Sequence, residues 1–325
     1  MTKHIGRQFS IGIGKEGTRG TATAATAWLP DTTLSIDDKV TVAKDETAIG
    51  VIEDGNGQDV TSQTSEATIE GRVSDTSFGH ILMALMGTDT KTTTSGESAV
   101  YDHTFSVLQT AQHPSYTLCA HGPNDDLAYP LGMLDSLDLT FELDKYAMFK
   151  AAFKANGSAS QDNTPSFSAE NVFLPKDITV GYADTIADLG SATAVNAKKL
   201  TLAFKKNTLD EKAFSNANPI DRLNQQFGCE GSLELSYDGR TLIDDVMLAD
   251  VYKALRVSLT SGVTIGSTSH PMVQFTFARV KLSEVSRKMD NNGIVSMTVK
   301  FTAFYSLSDA KMLAILLRNV RATAY

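Results

Sequence analysis

Two stretches of strict period-two alternation confine this chain to a β architecture before anything else about it is considered. Leu137, Leu139, Phe141 and Leu143 alternate with Asp138, Thr140, Glu142 and Asp144. Past a turn at Asp144-Lys145, Phe149, Ala151 and Phe153 alternate with Lys150, Ala152 and Lys154. Successive side chains of a strand point to opposite faces, so each arm has one buried and one wetted face. The second stretch starts at Val273, Phe275 and Phe277 and returns through Val295, Met297, Val299, Phe301 and Ala303. Its turn is Asp290-Asn291-Asn292-Gly293, and Asn-Gly is a strong hairpin signal because both residues accept positive φ.

Each hairpin closes a longer series, and the two series follow one plan. A strand around Thr33–Ile36 leads into a polar, acidic stretch from Asp37 to Gln63, expected as a long loop or a mobile hairpin. A strand over 67–73 follows, and then Ser74-Asp75-Thr76-Ser77 supplies capping side chains. Phe78, Ile81, Leu82 and Leu85 form one helical apolar face, ended by Gly87. Strands are expected near 100–108 and 115–121. In the second series a strand at Lys199–Phe204 precedes the polar stretch Lys205–Gln226, a Glu-Gly strand at 228–235 and a helix carrying Leu242, Val246 and Met247. A strand at 254–260 and the second hairpin complete it. Glu70-Gly71 and Glu230-Gly231 stand 160 residues apart, suggesting duplication, with residues 1–165 and 166–325 as two mainly β domains carrying short flanking helices. Residues 156–168 have linker composition. The C-terminal 310–325 fits a strand or a short helix.

Charge and cysteine usage narrow the function classes. Net charge is −9, which disfavours sequence reading of DNA, since phosphate contacts need a basic surface. Residues 1–165 hold 11 basic and 22 acidic side chains, and residues 166–325 hold 18 and 16. Cys119 and Cys229 form no CxxC pair and read as buried thiols, consistent with synthesis in a reducing cytoplasm. The N-terminus lacks an apolar run of signal-peptide length and no run of 18 apolar residues occurs, so a soluble chain without a membrane anchor is expected.

No chemistry emerges from the motifs. Gly12-Ile13-Gly14-Lys15-Glu16-Gly17 matches GxGxxG in letters, but Thr18-Arg19-Gly20-Thr21 is a poor helix start and no βαβ pattern follows. These glycines instead suit close backbone approach in an N-terminal arm. Asp54-Gly55-Asn56-Gly57-Gln58-Asp59 lacks the calcium-loop glycine at its sixth position. The six histidines are scattered, and Asp37-Asp38 and Asp125-Asp126 read as solvated acids. The expectation is no catalytic, cofactor-binding or metal-binding residue.

The segment Ile11-Gly12-Ile13-Gly14-Lys15-Glu16-Gly17-Thr18-Arg19-Gly20-Thr21 resembles the opening of tail tube proteins of long-tailed bacteriophages, in which "(I/L)G-x-(G/A)-K-E-x-x-x-G-T" is typical. The resemblance implies a β-sandwich or barrel domain with a flanking helix, present twice here. It implies sheets shared between subunits around a lumen, rings stacked into a tube, and a long loop reaching the adjacent ring, a role that suits 37–63 and 205–226. Two domains per chain favour a trimeric ring of pseudo-six-fold symmetry, with a hexamer as the other option. The implied partners are further copies, the tape measure, tail terminator and baseplate or tip proteins, and DNA passing transiently through an acidic lumen; the acidic first half is expected, from its charge, to contribute to that lining. The place implied is the virion tail. A capsid decoration or fibre-type binding module is the alternative, and a β-rich hydrolase a third reading.

Overall fold

The computed structural model describes residues 3–325 except 193, 290 and 292. In chain order the first half contains β1 (Ser10–Lys15), β2 (Ala27–Trp28), β3 (Thr32–Asp45), β4 (Gly57–Arg72), helix α1 (Phe78–Met86) and β5 (Gly87–Thr93). It continues through β6 (Tyr101–Val107), β7 (Tyr116–His121), β8 (Asp126–Glu142), β9 (Met148–Ala155) and β10 (Ala159–Ser160). The second half holds β11 (Ile178–Ala183), β12 (Ala197–Lys205), β13 (Leu209–Glu211), β14 (Asp221–Leu223) and β15 (Gly228–Ser236). A π-helical segment, Leu242–Leu248, is followed by β16 (Lys253–Thr260), β17 (Met272–Lys288), β18 (Ser296–Phe304) and β19 (Leu313–Asn319). Strand makes up 51% of the chain and helix 8%, so the expected mainly β fold is present.

The wetted and buried faces of the two hairpins build one antiparallel sheet of eight strands, in the order β3-β4-β9-β8-β12-β15-β18-β17. The long strands β8 and β17 do not stop at its edge. The first half of β8 pairs with β7, which pairs with β1; the first half of β17 pairs with β16, which pairs with β11. In each long strand the register shifts by one residue where it passes between layers, at Leu134/Ser136 and at Leu282/Glu284. Such a bulge bends a strand without ending its pairing. The core lies between the layers, where Phe204 stands within 6.4 Å of Phe275 and Phe277, and Phe277 within 6.3 Å of Phe301. Helix α1 is buried along its length, its Phe78 ring 5.3 Å from Phe149, and it ends as expected at Gly87 in a left-handed conformation.

The same pairings therefore occur twice, β1-β7-β8-β9-β4-β3 in one half and β11-β16-β17-β18-β15-β12 in the other. Leu134 and Leu282 hold matching positions, as do Phe153 and Phe301, each pair 148 residues apart. The Glu-Gly pairs do not match across the halves: Ala67 faces Phe153 where Gly231 faces Phe301, so those strands correspond with a spacing of 164, not 160. Both glycines serve packing instead. A Cβ on Gly231 would lie 2.3 Å from the Phe301 ring, and one on Gly71 would lie 2.5 Å from the Thr32 methyl and 3.2 Å from Phe149.

Several local expectations resolve. Of the two forms expected for the 37–63 stretch, it takes the hairpin: β3 and β4 pair out to Asp45 opposite Gly57, with one register shift at Thr41/Val42. The C-terminal segment is strand β19, paired with β17 and β6. Of the 290–293 turn, Asp290 and Asn292 lie outside the described residues.

Candidate assembly surface

The eight-stranded sheet ends on two open edges. Among the described residues, β3 pairs only with β4, and β17 beyond Val280 pairs only with β18. Each open edge presents a row of backbone donors and acceptors suited to another strand. Inside the chain the equivalent edges are already joined: β8, the counterpart of β17, pairs with β12, the counterpart of β3. That junction runs for seven residue pairs, from Ser136 opposite Lys205 to Glu142 opposite Lys199. Glu142 bridges it, bonded to Lys199 across the junction and to Lys145 at 2.6 Å. Hydrogen bonds from Lys145 and Lys199 hold the Glu142 carboxyl down to about 2.

Beyond Ile36 the β3–β4 hairpin projects as a prong. Val40, Val42, Ile49, Val51, Ile52 and Val60 are exposed on it, and Lys39–Glu66 and Lys44–Asp54 pairs of 2.6 and 2.9 Å brace it. Residues 37–59 hold seven acids against Lys39 and Lys44, so much of the first half's acidic excess sits on this prong. The polar face of the eight-stranded sheet is mixed instead. Glu70 faces Lys150, which faces Asp138, and Lys300 faces Glu284. Acids and lysines interleave across it, so this face is not uniformly acidic.

The other polar stretch behaves differently. Residues 206–226 fold back on the chain's own first half, where Arg222, wholly buried, donates to the carbonyls of Leu131 and Ala155 and to Asn156 Oδ1, and pairs with Asp210 at 2.8 Å. Lys206 Nζ donates to the Ala84 carbonyl at the C-terminal end of α1 at 2.8 Å, where a cation complements the helix dipole. Burial, with a smaller push from Arg19, brings its ammonium down to about 7. Residues 211–218 of this stretch stay exposed, Phe214 fully so, while residues 37–61 are exposed throughout.

The residues singled out in the sequence have structural places. Gly12 and Gly14 allow the close approach expected of them: a Cβ on Gly14 would lie 2.4 Å from the Ala24 carbonyl oxygen. The Lys-Glu and Thr-Arg steps of the same motif carry more than the sequence revealed. Glu16, buried, accepts from the N–H groups of Gly20 and Leu131 and from the hydroxyls of Ser115 and Thr117, at 2.6 to 2.9 Å. Arg19 reaches the His113 and Arg222 carbonyls and pairs with Asp221, tying the N-terminal arm to the second half. Nothing in the spacing signals that Arg19 and Asp221 meet across 202 residues.

Asp54 lies in the prong tip and Asp59 in β4 opposite Ala43, and Asp126 meets His121 at 2.5 Å. His80 is packed, its ring 4.9 Å from that of Tyr325, and His103 bridges Asp89 and the Arg321 carbonyl. Cys119 and Cys229 are buried and unpaired, and burial pushes the Cys119 thiol up to about 11. Among the described residues no group of three or more His, Cys, Asp or Glu could hold a metal. A cavity of about 870 Å³ contains His113 and Lys206 but no carboxylate among its described lining residues. No helix among them is long and apolar enough to cross a membrane.

Comparison with known families gives one match: the model of a family described as phage tail tube protein covers residues 6–303. No curated protein matches the chain.

Proposed function

The chain belongs to the phage tail tube protein family, a structural family of the virion tail, and on that premise we propose that it closes rings by pairing β17 of each copy with β3 of the next. The β8–β12 junction carries this reading, because it joins the counterparts of the two open edges within one chain. On this view residues 1–165 and 166–325 are two tube domains, and three chains give a ring of pseudo-six-fold symmetry. Three eight-stranded sheets supply 24 strands. At a spacing of about 4.8 Å and a tilt of about 40°, they close at a backbone diameter of roughly 48 Å. Barrels of eight strands fill with side chains, whereas much larger ones enclose a channel.

The mixed polar face would line that channel. Lysines paired with acids offer a passing phosphate backbone little net charge to hold, which supports transient, non-specific passage of DNA. The prong, too exposed to belong to the chain's own core, would reach the adjacent ring and stack rings into a tube. The tube would be assembled in the host cytoplasm with tape measure, terminator and baseplate or tip proteins. A decoration or fibre module receives no support from the family match.

Negative-stain microscopy of the purified protein tests the reading. Hollow tubes of uniform bore, with three chains per ring by mass, are expected. Removing residues 43–58 should leave single rings without long tubes. Compact particles under every assembly condition would overturn the proposal.

A further inference from the structure

We infer, resting on the edge-to-edge reading above, that β17 and the neighbouring copy's β3 pair in one register, with Glu284 opposite Lys39 and Ser286 opposite Asp37. The internal junction maps onto the open edges residue by residue. The two hairpins match with a spacing of 148, which carries Ser136 of β8 onto Glu284 of β17. The β12–β15 and β3–β4 pairs, aligned through Gly231 opposite Phe301 and Ala67 opposite Phe153, carry Lys205 onto Lys39. A separate observation checks that alignment: Lys205 pairs with Glu230 and Lys39 with Glu66, at the same positions in the two halves. Since Ser136 faces Lys205 inside the chain, Glu284 faces Lys39 between chains.

The side chains suit this register. Glu284 already holds Lys300 at 2.8 Å and Lys39 holds Glu66 at 2.6 Å, so joining the edges completes a row of alternating charge across four strands, Lys300, Glu284, Lys39 and Glu66. Further along, Arg287 stands opposite Ile36 and diagonal to Asp38, and Lys288 opposite Ser35 and diagonal to Asp37. Both diagonals place opposite charges on one face, within reach of long side chains. A slip of one residue would set Glu284 against Asp38 and turn Leu34 and Ile36 to the polar face.

Cysteine pairs read the register directly. In assembled tubes, Ser286→Cys with Asp37→Cys should give an intermolecular disulfide on mild oxidation. Ser286→Cys with Lys39→Cys, displaced by two residues, should give on the order of tenfold less, because diagonal Cβ atoms exceed disulfide reach. The native thiols are buried and stay out of the reaction. Glu284→Lys should raise the concentration needed for assembly several-fold, and adding Lys39→Glu should bring it back toward the original. Should the cysteines block assembly, this charge swap decides.

Tubes in which the displaced pair reacts better, or in which the swap gives no recovery, overturn the register and leave ring formation standing. An unmodified protein that forms neither rings nor tubes overturns both.

Discussion

Replacing Glu16 tests why the N-terminal motif has the residues it does. Its two oxygens accept four hydrogen bonds: Oε2 from Gly20 N–H at 2.7 Å and Ser115 Oγ at 2.6 Å, Oε1 from Leu131 N–H at 2.8 Å and Thr117 Oγ1 at 2.9 Å. Leu131 holds a positive φ of 53°, and Arg222 grips its carbonyl from the other side. A left-handed leucine costs about 1–2 kcal/mol and persists only when clamped. Glu16→Ala orphans two backbone N–H groups at about 1–3 kcal/mol each, while the two hydroxyls can rotate toward other acceptors. The loss should total roughly 2–6 kcal/mol. Glu16→Gln keeps one acceptor oxygen but turns an amide N–H₂ on another donor, so it should lose only about 1–3 kcal/mol. Thermal unfolding of protein kept below its assembly concentration reads the difference, at about 2 °C per kcal/mol for a chain of this size. An alanine variant within about 1 kcal/mol of the parent, or no worse than the glutamine variant, would refute the clamp.

Other perturbations follow from buried groups. Gly231→Ala should destabilise the chain by roughly 1–3 kcal/mol through overpacking against Phe301, and Phe301→Leu in the same chain should recover part of that in denaturant titration. Arg222→Met leaves two buried carbonyls and Asp210 without their partner, so limited proteolysis should cut within 206–226, and Arg222→Lys should not restore protection, lacking the planar fork. Burial depresses His80 to about 3 and His113 to about 4. Between about pH 6.5 and 4 the unfolded chain therefore binds protons that the folded chain refuses, and stability falls as pH falls through that window. The loss is at most about 3 kcal/mol per histidine by pH 4, and His80→Gln should flatten the measured stability–pH curve.

The hairpins were legible because period-two alternation is a local property that each strand states for itself. Phe149, Ala151 and Phe153 are buried and Lys150 is exposed, as their spacing requires. Helix α1 was legible for the same reason, its apolar face running to a glycine that takes the positive φ. The prong was harder. A polar stretch gives the same composition whether it forms a loop or an exposed hairpin, and between Ile36 and Ser62 its strands are exposed on both faces and held by backbone pairing. The two polar stretches therefore looked alike in sequence although one projects and the other is bound by Arg222.

What the sequence determined by itself was the buried face of the alternating strands and the span of helix α1, since these depend on neighbours a few residues away. Tertiary structure alone decided which edges are covered and which stay open. It also decided that Glu16 clamps Leu131 within the first half, that Arg19 and Arg222 tie the halves together, and that the Glu-Gly pairs are out of step. Those outcomes depend on contacts between residues as far apart as Arg19 and Asp221, whose pairing is set by the course of whole strands and leaves no trace in local spacing.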